Sequence, residues 1–224
     1  MSAQNRKIPK IFSSNAVGGL QPILLLKPVF GKGRSVLISL RDRKTCRSFS
    51  DKKLSPQMLS NLLWAACGIN RKKGPFGIPG RTAASASNSQ EISLYVALQD
   101  GVYLYEPIPH CLIPVASGDL RAMAIGKGQV PAGAKAPVRL IYVADIDKFS
   151  EAGFQEPGLK DPETQKAYYY ADTGLIAGNV YVFAASLGLA AWFHNCDRIN
   201  LSPRLKLRAN QRVLFGQTVG YPEK

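Results

Sequence analysis

The chain has 224 residues, 46% hydrophobic and 20% charged, an ordinary globular composition for one large domain or two small ones. No apolar run reaches the roughly 18 residues of a membrane span, which excludes a membrane protein of that kind. Net charge is +14, and its placement is uneven: residues 1–81 hold 16 Lys/Arg against 2 Asp/Glu, while residues 82–224 hold 13 of each.

A basic first third suits nucleic acid, an acidic membrane or a phosphorylated small molecule, and its bland alternative is a solvated surface. The basic N-terminus has no continuous apolar stretch, so no signal peptide is visible. A chain trimmed of its signal would read the same. The four cysteines are scattered without a C-x-x-C, and only two histidines exist, so no zinc or other metal site is expected. Free thiols in a reducing cytoplasm are the simplest reading.

In chain order, residues 1–33 read as an arm, broken by Pro9, Pro22 and Pro28 and loosened by Gly18–Gly19. It is expected to lie over another surface; residues 34–224 form the domain. RSVLISLRDRK (34–44) spaces Val36, Leu37 and Leu40 as a short amphipathic helix. Ser55–Pro56 opens a clear helix, PQMLSNLLWAAC, with Gly68 as its C-cap. Residues 70–90 read as a long polar loop, and such loops are often functional. ISLYVALQDGVYLYE forms two strands around a Gln-Asp-Gly turn, and CLIPV a third. GDLRAMAIGKG reads as a short helix and VRLIYVAD (138–145) as a central strand. Residues 163–188 form a long helix, apolar on most sides and therefore a buried axis. A strand (LAAWFHNCD), a short helix (198–209) and a last strand (RVLFGQTVGY) follow. Helices and strands mix without regular βαβ alternation, so the class is α+β.

Several motifs are absent. GKGRS (31–35) lacks the Walker spacing, no G-x-G-x-x-G follows a strand, and there is no G-x-S-x-G elbow. His110 and His194 read as structural. Two stretches look chemically purposeful. In R-K-T-C-R (43–47), Arg43 and Arg47 can fork onto phosphate oxygens, Lys44 adds a point charge and Thr45 a hydroxyl. A-S-A-S-N-S-Q (84–90) is rich in hydroxyls and amides that could bond a heterocycle edge, or could form a plain polar loop.

The order of these pieces carries more than any one of them. An R-K-T-x-R run precedes the KKLSPQMLSNLLWAACGINR helix, a T-x-x-S-x-x-N-S-Q-E loop, an I-x-L-Y-V strand and DGVYLY. APVRLIYVAD, GNVYVFAASLGL and a terminal VGYP follow. Over residues 34–224 this resembles the nitroreductase family of flavoproteins, closest to its SagB-like layout.

The resemblance implies an α+β fold with a central mixed, mainly antiparallel sheet flanked by helices. Two chains would interlock as a homodimer with FMN at the interface. Arg43, Lys44, Thr45 and Arg47 would hold the FMN phosphate and ribityl chain. Ala84, Ser85, Asn88 and Gln90 would meet the flavin from the partner chain, with Ala84 where the family has proline. Gln129 would reach the pyrimidine edge, and backbone at His194–Asn195 would face flavin N5. A late Lys/Arg pair common in the family has no counterpart after Gly220; Arg41 or the arm would compensate. Gly178 stands where a larger polar residue is usual. The implied activity is a ping-pong transfer from NAD(P)H through the flavin to a nitroaromatic, quinone or similar acceptor, with no obligatory acid or base and no role for nucleic acid or membrane. Two alternatives stand beside it: an FMN-dependent dehydrogenase acting on a peptide or azoline substrate, and a basic non-catalytic module binding nucleic acid or an acidic partner.

Overall fold

The computed structural model describes residues 16–129 and 135–223. The first half of the arm lies outside the described residues. Nine strands and five helices follow one another: β1 (Ile23–Leu24), α1 (Val36–Asp42), α2 (Pro56–Cys67), β2 (Ile69–Arg71), β3 (Gly80–Arg81), β4 (Ile92–Ala97), β5 (Gly101–Glu106), β6 (Cys111–Ser117), β7 (Val138–Asp145), α3 (Asp147–Ser150), α4 (Pro162–Ser186), β8 (Ala190–His194), α5 (Arg198–Arg204) and β9 (Gln211–Gly220). Seven strands form one sheet in the order β1-β6-β5-β4-β7-β9-β8. Every pairing in it is antiparallel, so the expected sheet appears with no parallel component. β2 and β3 form a separate small pair.

Strand alternation explains why the middle of β7, residues 140–144, reads as an unbroken apolar run. Leu140, Tyr142 and Ala144 face one layer, where Leu62, Leu63 and Ala66 of α2 and Ile176 and Val180 of α4 pack. Ile141 and Val143 face the other, with Leu120, Leu201 and Leu205. All eight residues of β7 are buried because both faces are covered. Each fully buried Leu adds about 1.5–3 kcal/mol.

α2 begins as its sequence implies. The Ser55 side chain accepts the Met58 N–H, and Pro56 stands in the first turn. Gly68 occupies the C-cap but with φ −71° and ψ 167°, so it is not a left-handed cap. It is glycine for space: a Cβ there would lie 2.5 Å from the Trp64 ring. The arm runs across α2, where Ser60 Oγ donates to the Leu26 carbonyl and Gln57 Nε2 to that of Lys27. It also adds β1 to the sheet edge.

Three further expectations need correction. The 70–90 segment is not a bare loop, since β2 and β3 pair within it. GDLRAMAIGKG is a chain of turns, held by a bidentate Arg121–Asp119 ion pair and by the Gly126 N–H on the Asn195 carbonyl. Helix α4 is not a buried axis. Tyr169, Asp172, Thr173, Ile176, Ala177, Val180 and Ala184 form one buried stripe, while Leu175 is 49% exposed on the other side. Gly178 faces open space there. No described helix is long and apolar enough to cross a membrane.

Candidate functional site

The cationic run leaves α1 at Arg43 and passes along the outer edge of β8. The Cys46 N–H donates to the Ala191 carbonyl at 3.0 Å. Phe49 bridges to Pro222 just beyond β9. Arg43 lies 5.5 Å over the Tyr181 ring, Thr45 Oγ1 is 3.1 Å from the Tyr181 hydroxyl, and Arg47 lies 5.3 Å over Trp192. Lys44 and Cys46 line a cleft of about 650 Å³ with Arg34, Arg41 and Tyr181. Tyr181 is thus common to the surroundings of Arg43, Lys44 and Thr45, while Arg47 meets Trp192.

Arg43, Lys44 and Arg47 form no ion pair with an acid among the described residues. Arg41 is less available. Its guanidinium meets Asp42 at 2.8 Å, and Asp42 also takes Arg34 at 2.5 Å.

Tyr181 holds this arrangement together, and the sequence gives no sign of it. Its hydroxyl accepts the Phe193 N–H at 2.8 Å. That leaves the phenolic proton for Thr45 and frees the Thr45 proton for a ligand oxygen. Tyr181→Phe removes the acceptor of a part-buried amide. We expect a loss of about 1–3 kcal/mol in denaturant unfolding; a change under about 0.5 kcal/mol would show that the hydroxyl is not what holds β8.

Trp192 leads from the cationic face to a second cluster, its ring 5.0 Å from that of His194. His194 Nδ1–H donates to the Asn195 carbonyl at 2.8 Å, and Nε2 accepts from the Thr218 hydroxyl at 2.7 Å. Burial pushes this imidazole down to about 4, so it is neutral and structural. The Gly126 N–H also reaches the Asn195 carbonyl, at 2.8 Å. Gln129 folds back over Gly126, its Oε1 3.0 Å from where a Cβ would stand. That Oε1 is buried and has no hydrogen-bond partner among the described residues.

Because Phe193 turns its N–H toward Tyr181, alternation turns the amide of His194 toward β9. Of the two backbone positions expected to face a ligand, only Asn195 has its amide beyond the ladder. His110, the other histidine, binds Ser60 Oγ and Tyr105 OH, both at 2.8 Å. Ser60 gives its own proton to Leu26, so this trio staples the arm and is no nucleophile.

Within one chain, the 84–90 loop does not join these clusters. It lies against Asp172, nine residues along α4 from Tyr181, or about 13 Å at the helical rise. Ser85 Oγ accepts the Gln90 N–H at 3.0 Å, and Gln90 Nε2 donates to Asn88 Oδ1 at 3.0 Å. Asn88 Nδ2 is buried without a partner, and Ala84 is exposed.

These features fit a ligand with a phosphate and a polar heterocycle. Two guanidiniums without acidic partners among the described residues, each over an aromatic ring, and a hydroxyl follow one another along the edge of β8, and the buried Gln129 amide oxygen lies by the turn that ends it. Arg43, Thr45 and Arg47 suit the phosphate, and Gln129 and the Asn195 amide suit a ring edge.

Comparison with known proteins shows the family. A protein of Methanocaldococcus jannaschii provisionally named a nitroreductase is 27% identical over 154 residues, covering 66% of this chain and 71% of that protein. The crystal structure of a provisionally named nitroreductase from Ralstonia eutropha JMP134 is 31% identical with a TM-score of 0.77, covering 91% of this chain and 90% of that one. The E. coli microcin synthetase McbBCD complex, solved with truncated pro-MccB17 bound, shares the fold at a TM-score of 0.63 and 18% identity, over 98% of this chain and 84% of that one. The Nitroreductase family profile matches residues 40–221, and the chain belongs to the nitroreductase family.

Proposed function

We propose that the protein is an FMN-dependent oxidoreductase passing reducing equivalents from NAD(P)H to a small organic acceptor, a nitroaromatic, a quinone or a similar compound. The observation that carries this reading is the run of Arg43, Thr45 and Arg47 held along the edge of β8 by Tyr181 and Trp192, with no acid paired to either guanidinium among the described residues. When bound, the flavin supplies the two-electron chemistry. The chain's own residues bind and orient. Arg43 and Arg47 neutralise the phosphate, and Thr45 donates to it. Gln129 meets the pyrimidine edge, and Asn195 offers its amide. Neutral His194 fixes the turn that carries Asn195 and takes no part in proton transfer.

In this reading residues 34–224 are the FMN-binding domain and residues 1–33 its arm, and the working unit is a homodimer. Helix α1 supports a dimer: it buries Ser39 and turns Val36, Leu37 and Leu40 outward at 65%, 79% and 51% exposure. Covering them with a second copy removes an apolar patch from water. It would also bring a partner's 84–90 loop to the cradle, supplying what one chain lacks. The four unpaired cysteines suit a reducing cytoplasm.

The test is a visible absorption spectrum of the purified protein, with the released chromophore identified by mass. A flavin band with the mass of FMN is expected. Protein still colourless after incubation with FMN would return the cationic run to a surface feature, and salt-dependent polyanion binding would become the next measurement.

A further inference from the structure

Two buried acids stand behind the 84–90 loop, and the flavin reading uses neither. Glu91 is fully buried at the head of β4. Its Oε2 accepts the Ser89 hydroxyl at 2.7 Å, and its Oε1 has no hydrogen-bond partner. Asp172 reaches in from α4, 6% exposed, and its Oδ2 accepts the Ala86 N–H at 2.9 Å. One acid therefore holds the loop at Ala86 and the other at Ser89. Around that grip the backbone takes left-handed values at Ser87 (φ 47°), Asn88 (φ 54°) and Gln90 (φ 53°). Such residues are strained and persist only where the surroundings impose them.

Burial, then the nearby charge of Asp172, pushes the Glu91 carboxyl up to about 7. Burial likewise raises Asp172, opposed by the Ala86 N–H. The other charged groups nearby do not relieve the pair. Lys148 of α3, the nearest cation, gives its ammonium to the Gln90 carbonyl at 3.2 Å and divides its charge among Glu91 itself, Glu106 of β5 and Asp145 of β7, with Arg81 of β3 opposing it. Arg81 donates to the Ile92 carbonyl, Asp145 is taken by Arg208 at 2.6 Å, and Tyr168 faces Asp172 from the same helix.

We propose that Glu91 and Asp172 hold one proton between them and act as positioning residues for the 84–90 loop. While that proton is present, the loop keeps Ser85, Asn88 and Gln90 in their strained arrangement. When it leaves to water, two like charges in a dry interior repel, and the loop opens. An exposed Glu ionises near about 4.3, so opening releases one proton at any pH between that value and the closed-loop value. Opening therefore becomes about tenfold easier per pH unit through that window and levels off above about 7.

Hydrogen exchange on the whole protein tests this, with and without added FMN, from pH 5 to 8 and corrected for intrinsic exchange. Protection of the Ala86 amide should fall about tenfold per unit up to pH 7 and then flatten. Glu91→Gln should remove the slope. Should that variant fail to fold, Asp172→Asn, which keeps an oxygen for Ala86, takes its place. A flat wild-type profile, a slope that survives in Glu91→Gln, or a profile in Asp172→Asn unchanged from wild type, overturns the proposal. The loop's service to a flavin rests on the proposed function, but the proton linkage does not. Protein showing the slope yet binding no FMN would sink only the flavin reading.

Discussion

Phe49→Ala should destabilise the protein by about 3–5 kcal/mol, the usual loss for truncating a buried phenylalanine. Phe49 is 2% exposed and packs with Ile125, Ala136, Ala190 and Trp192. Its backbone bridges to Pro222, and the neighbouring Ser50 N–H donates to the Tyr221 carbonyl at 2.9 Å. The ring joins the cationic run to both β8 and the end of β9, so the site has little means to collapse around the cavity. For a chain of this length the thermal midpoint should fall by roughly 10 °C. A fall under about 2 °C would mean that the small third cluster does not hold the run in place.

Arg47→Ala should weaken FMN binding by about 10- to 150-fold, the effect of losing a charge-assisted hydrogen bond of roughly 1.5–3 kcal/mol. Lys44→Ala is the informative partner. Lys44 lines the cleft with Arg34, Arg41 and Tyr181, and its ammonium is a point charge that cannot fork. It should alter affinity less than about threefold, through long-range charge that salt screens. Fluorescence titration of flavin at two salt concentrations separates the two variants. Equal losses for both would mean that the phosphate does not rest on the arginines of the run.

Much of the fold was legible because local rules and tertiary packing agreed. Ser55–Pro56 announced α2, and the apolar run of β7 announced a strand covered on both sides. Misreadings arose where distant residues decide. The GDLRAMAIGKG stretch has helical spacing, but Asn195 takes the Gly126 amide and the Asp197 N–H takes the Met123 carbonyl, so the segment is bent into turns. The α4 sequence mixes Ala, Gly and Tyr on both sides, so hydropathy could not tell its buried stripe from its bare one. At the site, the sequence showed which residues cluster but not how they face. How the run divides between Tyr181 and Trp192 requires knowing that it lies along β8. Tyr181 carried no signal. Glu91 did carry one, a carboxylate heading an apolar strand, and its meaning depends on Asp172 far along the chain.

The grip on the cationic run has a consequence in time. Thr45 meets Tyr181, 136 positions later in the chain, and Ser48 meets Glu223, 175 positions later. A ribosome releases Arg43–Arg47 long before anything that can hold them. Closing such long loops is entropically slow, so this part of the fold should be the last to set. Until then a strongly cationic stretch hangs free on a nascent chain beside ribosomal RNA. The early sheet strands β4, β5 and β6 can pair meanwhile, because their partners are close in sequence. Cofactor capture would then wait for α4, β8 and the residues after β9, reporting that those segments have arrived.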